Sequence, residues 1–268
     1  PLLQLKDVEL YYETYGQGRP FVFLNATASD CEVWKVYQVP EFSRDHRVIL
    51  FDYRGTGRSG KPSIKYSTKM FADDMAALMD HLKAEQAIVL GHSMGGRVAQ
   101  LLALDHPEKV QKLILASTGA SFPETKGLPF NVCKGMIEKG YERYLREHWI
   151  RVGFTEEFAT KNPERIERYL QARFGHLCPV EFNLRHLIAR QEHDTSGRLK
   201  DIRVPTLILI GDDEHEASSD ISHLASTNVL AEGIPHARVV TLPGVRHAYF
   251  FSNPELVHRT IREFLKER

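Results

Sequence analysis

Six short runs rich in Val, Ile, Leu and Phe punctuate the chain, and each is separated from the next by a stretch long enough to hold an amphipathic helix. The runs are Phe21-Val22-Phe23-Leu24, Val48-Ile49-Leu50-Phe51, Ala87-Ile88-Val89-Leu90, Leu113-Ile114-Leu115-Ala116, Thr206-Leu207-Ile208-Leu209-Ile210 and Val239-Val240-Thr241-Leu242. A strand, helix, strand alternation builds a parallel sheet, and near-continuous apolarity within a strand means that both of its faces are covered. The fold class is therefore α/β, with a mostly parallel central sheet and flanking helices. Ahead of these runs, Val8 to Tyr15 alternates with period two and stops at Gly16-Gln17-Gly18, the mark of an antiparallel edge strand. Met70, Phe71, Met75, Leu78 and Leu82 recur at helical spacing and predict a helix over about 68–83, with others over about 95–105 and 254–266.

From Ser121 to Arg198 no strand pattern recurs, while Tyr141–Leu145, Arg165–Leu170 and Leu184–Ala189 read as helical. Gly119 and Pro123 flank this stretch on one side and Val204-Pro205 on the other. The expected organisation is a core made of residues 1–120 and 199–268, with a helical cap, 121–198, inserted into it. A length of 268 residues with 42% hydrophobic content suffices for a sizeable core. Thirty-five basic residues balance 35 acidic ones, which leaves no broad field for nucleic acid or an anionic membrane. No run approaches 18 apolar residues, and the first residues lack the basic-then-apolar form of a signal peptide, so a soluble, cytoplasmic protein is expected. Cys31, Cys133 and Cys178 are odd in number and far apart, which suits reduced thiols.

The run 87–90 leads directly into Gly91-His92-Ser93-Met94-Gly95-Gly96 and then into a helical segment starting Arg97-Val98-Ala99. A serine on a sharp strand-to-helix turn, with glycine two residues away on either side, has the setting of a nucleophile elbow. A serine hydroxyl is a weak nucleophile at neutral pH and needs a base, itself oriented by a carboxylate. His247 follows the last strand in Pro243-Gly244-Val245-Arg246-His247, at the strand end where catalytic groups of open α/β sheets collect; the other twelve histidines lack that placement. After strand 206–210 come Asp212, Asp213, Glu214 and Glu216, of which one would serve as the triad acid. The rival readings are a solvated acidic loop, or a metal site through His215 and its neighbours, disfavoured because catalytic zinc draws ligands from separate segments. Attack on a carbonyl also needs two N–H donors for the oxyanion, which points to Met94, after the nucleophile, and Thr27, in the loop after strand 21–24.

Taken together, Gly91–Gly96, Phe51-Asp52-Tyr53-Arg54-Gly55-Thr56-Gly57-Arg58-Ser59, the block Asn25 to Trp34, Gly211–Glu214 and Gly244–His247 resemble the α/β-hydrolase superfamily over essentially the whole chain. The resemblance implies an acid three residues after the glycine closing the late strand, which is Glu214 here in place of the commoner Asp, with Asp213 as the alternative. Most members carry His-Gly in the oxyanion loop where this chain has Asn25-Ala26, a feature similar to the enol-lactonases acting on 3-oxoadipate enol-lactone. The segment Asp52–Gly57 is implied to be structural. Because Ser93 stands at the elbow, the aspartate chemistry of epoxide hydrolases and haloalkane dehalogenases is not implied.

The implied activity is a cofactor-free, metal-free serine hydrolase that cleaves a small ester or lactone through an acyl-enzyme, with Asn25 and His92 at the substrate. Carbon–carbon hydrolysis of a diketone and perhydrolysis use the same triad, and a ligand-binding sensor with slow turnover is the non-enzymatic alternative. The implied lid carries Tyr141, Tyr144, Trp149, Phe154, Phe158, Tyr169 and Phe174, which would line an apolar cavity or pack the lid itself. Arg185 and Arg190 would either meet a substrate carboxylate or be solvated helix charges.

Overall fold

The computed structural model describes residues 1–121, 128–214 and 223–267. Its eight strands are β1 (Leu2–Gln4), β2 (Glu9–Tyr15), β3 (Arg19–Leu24), β4 (His46–Phe51), β5 (Ala87–His92), β6 (Val110–Ala116), β7 (Thr206–Gly211) and β8 (Arg238–Leu242). They form one sheet in the order β1-β2-β4-β3-β5-β6-β7-β8. From β3 to β8 the strands are parallel, whereas β2 runs antiparallel to β4, and β1 to β2. All six apolar runs lie in parallel strands, and the alternating segment is the antiparallel one. The period-two side-chain alternation of β3 shows why. Phe21 and Phe23 enter a cluster with Trp34, Phe42 and Phe250, while Val22 and Leu24 enter another with Phe71, Met75 and Val98 on the opposite face.

Helix Thr68–His81 starts where the Ser67 hydroxyl accepts the Met70 N–H at 3.1 Å, and it lays Phe71, Met75, Leu78 and Met79 against the sheet. Helix Pro254–Lys266 is capped by Asn253, has Pro254 in its first turn, and buries Val257, Ile261 and Phe264. The stretch between β6 and β7 contains Leu128–Lys139, Tyr141–Gly153, Glu156–Lys161, Pro163–Phe174 and Val180–Gln191, and a lone bridge between Ser121 and Asp194 closes its neck. Leu128–Lys139 is hidden from periodicity by Pro129 and Gly135, which read as breakers, although proline is harmless in a first helical turn. Glu156–Lys161 is too short to show a period, and its visible signal is the Thr155 cap, which accepts the Phe158 N–H at 3.1 Å. Three-residue β1 likewise leaves no pattern. No helix of the described residues is long and apolar enough to cross a membrane, and all three cysteines are free.

Because β3 lies between β4 and β5, the chain leaves β3 toward one edge of the sheet and later returns to β5 on its other side. The connections after β3 and β5 diverge, and a crevice opens between them at the carboxyl ends of the strands. Leu24 pairs with Gly91 at that point, so Asn25 and Ser93 leave neighbouring strand ends.

Candidate active site

Ser93 sits at φ 55°, ψ −117°, between the last residue of β5 and helix Met94–Asp105. Its backbone is held from three sides: its N–H donates to Ala116 O (2.9 Å), and its carbonyl accepts from Gly96 N–H (3.0 Å) and the Thr118 hydroxyl (2.7 Å). The turn is tight enough that a Cβ on Gly91 would stand 2.2 Å from Gly95 O, and one on Gly95 would stand 2.2 Å from Leu24 O. Both glycines are thus required by backbone approach, and the surroundings fix the serine in a conformation it would not adopt alone. The Ser93 side chain is buried, and Oγ makes no hydrogen bond among the described residues.

The loop after β7 meets the loop after β8 residue by residue. Asp212 accepts the Gly244 N–H (2.7 Å), Asp213 pairs with the Arg246 guanidinium (2.6 Å), and Glu214 Oε2 lies 2.9 Å from His247 Nδ1. Of the two candidate acids, Glu214 is the one that reaches the imidazole, while Asp213 is turned toward the surface ion pair. The longer side chain is itself anchored: Glu214 Oε1 accepts from Gly211 N–H (2.9 Å) and the Ser117 hydroxyl (2.5 Å). The two loops can pack this closely because residue 211 lacks a side chain; a Cβ there would stand 2.3 Å from Val245 O. His215 and Glu216, the remaining members of the acidic stretch, lie outside the described residues.

With Glu214 accepting from Nδ1–H, His247 presents an unprotonated Nε2. Burial, followed by the charges of Arg173 and Arg190, pushes the His247 pKa down to about 3 and keeps the ring neutral. His92 Nε2 lies 3.0 Å from the His247 carbonyl, and the two imidazoles stack with centroids 4.5 Å apart. The elbow is thereby tied directly to the histidine loop. The polar end of His92, assigned to substrate from the sequence, is spent on this tie, although the ring still borders a cavity with Trp34, Tyr169 and Arg173.

Asn25 departs further from expectation. It is fully buried, its amide donates to Phe51 O (2.7 Å), and its carbonyl oxygen accepts from the Trp34 indole (2.7 Å). An asparagine gives a donor and an acceptor in one planar group, and here both ends hold the loop in place of meeting substrate. Three residues on, the Ala28 N–H is taken by His186 Nδ1 at 3.4 Å, whereas no hydrogen bond of the Thr27 N–H or the Met94 N–H occurs among the described residues. The Asp52–Gly57 segment is a scaffold: Asp52 accepts the N–H groups of Cys31 and Arg58, each at 2.9 Å, and Arg54 pairs with Asp74 and Asp7.

From the helices between β6 and β7, Arg185 pairs with Glu181 on the surface, whereas Arg190 is directed inward, with Nη1 3.4 Å from Thr27 Oγ1. Sequence reading missed Arg173. Its guanidinium lies 3.7 Å over the Trp149 ring and donates to Thr27 O at 3.0 Å. A signal was present: Ile166, Tyr169, Leu170 and Arg173 follow i, i+3, i+4, i+7 spacing, and all four are buried, so this arginine stands on the inward stripe of its helix.

Burial leaves a pH signature. It depresses His247 and His193 to about 3, His186 and His148 to about 4, and His92 well below its ordinary value, so the folded chain binds fewer protons than the unfolded one below the ordinary histidine value near 6.5. That stability is fully present above pH 6.5 and is lost as pH falls toward 3–4. Asp30, raised to about 6 by burial and then by Asp52, acts in the opposite direction. The buried histidines outnumber Asp30, so unfolding takes up protons on balance near pH 5 and the unfolding free energy should fall as pH drops from 7 to 5. Urea titrations at pH 7, 6 and 5 measure this slope, and a midpoint constant across that range would contradict it.

The profile of the alpha/beta hydrolase fold family matches residues 19–254 of the chain. A relative from Azorhizobium caulinodans, provisionally named carbamate hydrolase RutD, is 30% identical over 262 residues, spanning 97% of this chain and 96% of that protein. The 3-oxoadipate enol-lactonase 2 of Acinetobacter baylyi is 28% identical over 274 residues, spanning 98% and 96%. Among solved structures, the enol-lactonase from Burkholderia xenovorans LB400 superposes with a TM-score of 0.88 at 25% identity over the full length of both chains.

Proposed function

Since the chain belongs to the alpha/beta hydrolase fold family, we propose that it is a serine hydrolase cleaving a small carboxylic ester or lactone through an acyl-enzyme. The observation that carries this reading is the buried Glu214–His247 pair, 2.9 Å apart, on a loop that His92 ties to the elbow bearing Ser93.

In this mechanism Ser93 Oγ attacks the carbonyl carbon while His247 Nε2 takes its proton, and Glu214 steadies the imidazolium through Nδ1–H. The Met94 and Thr27 N–H groups receive the oxyanion, each donor contributing about 3 kcal/mol to the barrier reduction. His247 then returns the proton to the leaving alcohol oxygen and next activates the water that releases the acid. Ser93 Oγ and His247 Nε2 come into hydrogen-bond reach as substrate enters, since catalytic hydrogen bonds often form fully only in the complex. None of these steps calls on a metal or a cofactor. The names of the enol-lactonase relatives favour a lactone or ester over a diketone.

A panel of p-nitrophenyl esters, small γ-lactones and a linear 1,3-diketone tests the substrate class. Turnover of esters and lactones with no cleavage of the diketone is the expected result. Diketone cleavage with inert esters would replace this reading by carbon–carbon hydrolysis.

A further inference from the structure

We propose that Arg173 is the receptor for a carboxylate carried by the substrate, so that the preferred substrates are small anionic esters or lactones. This rests on the serine-hydrolase reading above and adds the substrate's charge to it. Arg173 is only 6% exposed, yet it forms no ion pair with a carboxylate among the described residues. Among the described residues its hydrogen bond goes to Thr27 O and its buried Nε has no partner, while one face of its guanidinium lies over Trp149. A guanidinium carries five N–H donors and does not give up its proton, so a buried one is normally met by an anion. Buried Arg54 follows that rule, taking Asp74 in two hydrogen bonds and Asp7 in two more.

Arg173 also occupies the right place. It borders the cavity formed with Trp34, Tyr169, Phe250 and His92, whose other walls bring no acidic group among the described residues, and His92 directly precedes the nucleophile. An anion entering from solvent meets the Arg173 guanidinium there, already oriented by Trp149 and Thr27. The planar fork matches a carboxylate, and water is largely excluded, so the pairing strengthens. The competing role is a clamp: through Thr27 O, Arg173 would fasten the oxyanion loop to the insert and have no dealings with substrate.

The two roles separate in a ratio. Wild type and Arg173→Met are compared on 4-nitrophenyl hydrogen glutarate, whose acyl chain ends in a carboxylate, and on 4-nitrophenyl valerate, a neutral ester of similar length. Wild type should prefer the anionic ester, and the ratio of the two kcat/KM values should fall at least about 50-fold in the variant, mostly through KM, with Arg173→Lys between them. An unchanged ratio with both esters slowed equally would establish the clamp and overturn the proposal, as would a wild type that favours valerate. If the methionine variant does not fold, wild type decides: glutarate should compete with valerate ester hydrolysis and glutaramide should not, and equal or absent competition overturns the proposal. Hydrolysis of the neutral ester reports separately on the serine-hydrolase reading, which fails if neither ester is turned over.

Discussion

Replacing Ser93 with alanine should lower kcat on an activated ester by about 10⁴ to 10⁶-fold while leaving the fold intact. The loss is large because the nucleophile and its base act as one unit; His247→Ala should cost about as much, and the double variant little more than either. The fold should survive because the Ser93 hydroxyl makes no hydrogen bond among the described residues, and the bonds to Ala116, Gly96 and Thr118 all belong to its backbone. A serine-sized Cβ is already accommodated at φ 55°, so alanine adds no new strain. Steady-state hydrolysis together with thermal unfolding measures both halves. Activity within tenfold of wild type would remove Ser93 from the chemistry.

Glu214→Gln should reduce kcat by about 10³ to 10⁴-fold, whereas Asp213→Asn should stay within about threefold. An amide at position 214 can present an N–H to His247 Nδ1, which favours the tautomer with the proton on Nε2, where it blocks proton acceptance from Ser93. It also withdraws the charge that steadies the imidazolium. Asp213 lies at the rim, a quarter exposed, and its partner is Arg246. Loss of that pair should cost about 1 kcal/mol of stability or less. The opposite pattern, with Asp213→Asn collapsing turnover, would mean that the loop after β7 rearranges in solution.

The sequence shows some of this far better than the rest, and the difference follows from the range of the interactions involved. Strands β3 to β7 are legible because a strand covered on both faces must be apolar throughout, a condition that acts locally; the apolar run of β8 overstates its burial, since β8 is the edge strand and Val239 is 43% exposed. The elbow is legible because two glycines two residues from Ser93 answer a steric demand within six residues. The pairing of Glu214 with His247 across 33 residues is harder to see: the resemblance favours Glu214 but leaves Asp213 as the alternative, and what separates them is that Glu214 Oε1 finds both the Gly211 N–H and the Ser117 hydroxyl while Oε2 meets His247. Asn25 shows the limit of assigning a role from loop position. A polar residue after β3 looks available to a ligand, but its partners, Phe51 O and the Trp34 indole, come from a neighbouring strand and from a helix nine residues on. Arg173 was lost because an arginine in a helix that also carries Arg165 and Arg168 reads as a solvated charge unless its position on the apolar stripe is weighed.

The most direct measurement is intact-mass and peptide mapping after a fluorophosphonate probe, which reacts only where a serine is driven by a base beside an oxyanion site. One adduct per chain, mapped to Ser93 and absent from Ser93→Ala, is the predicted result. A folded wild-type protein that takes up no label, or takes it on another residue, would contradict it.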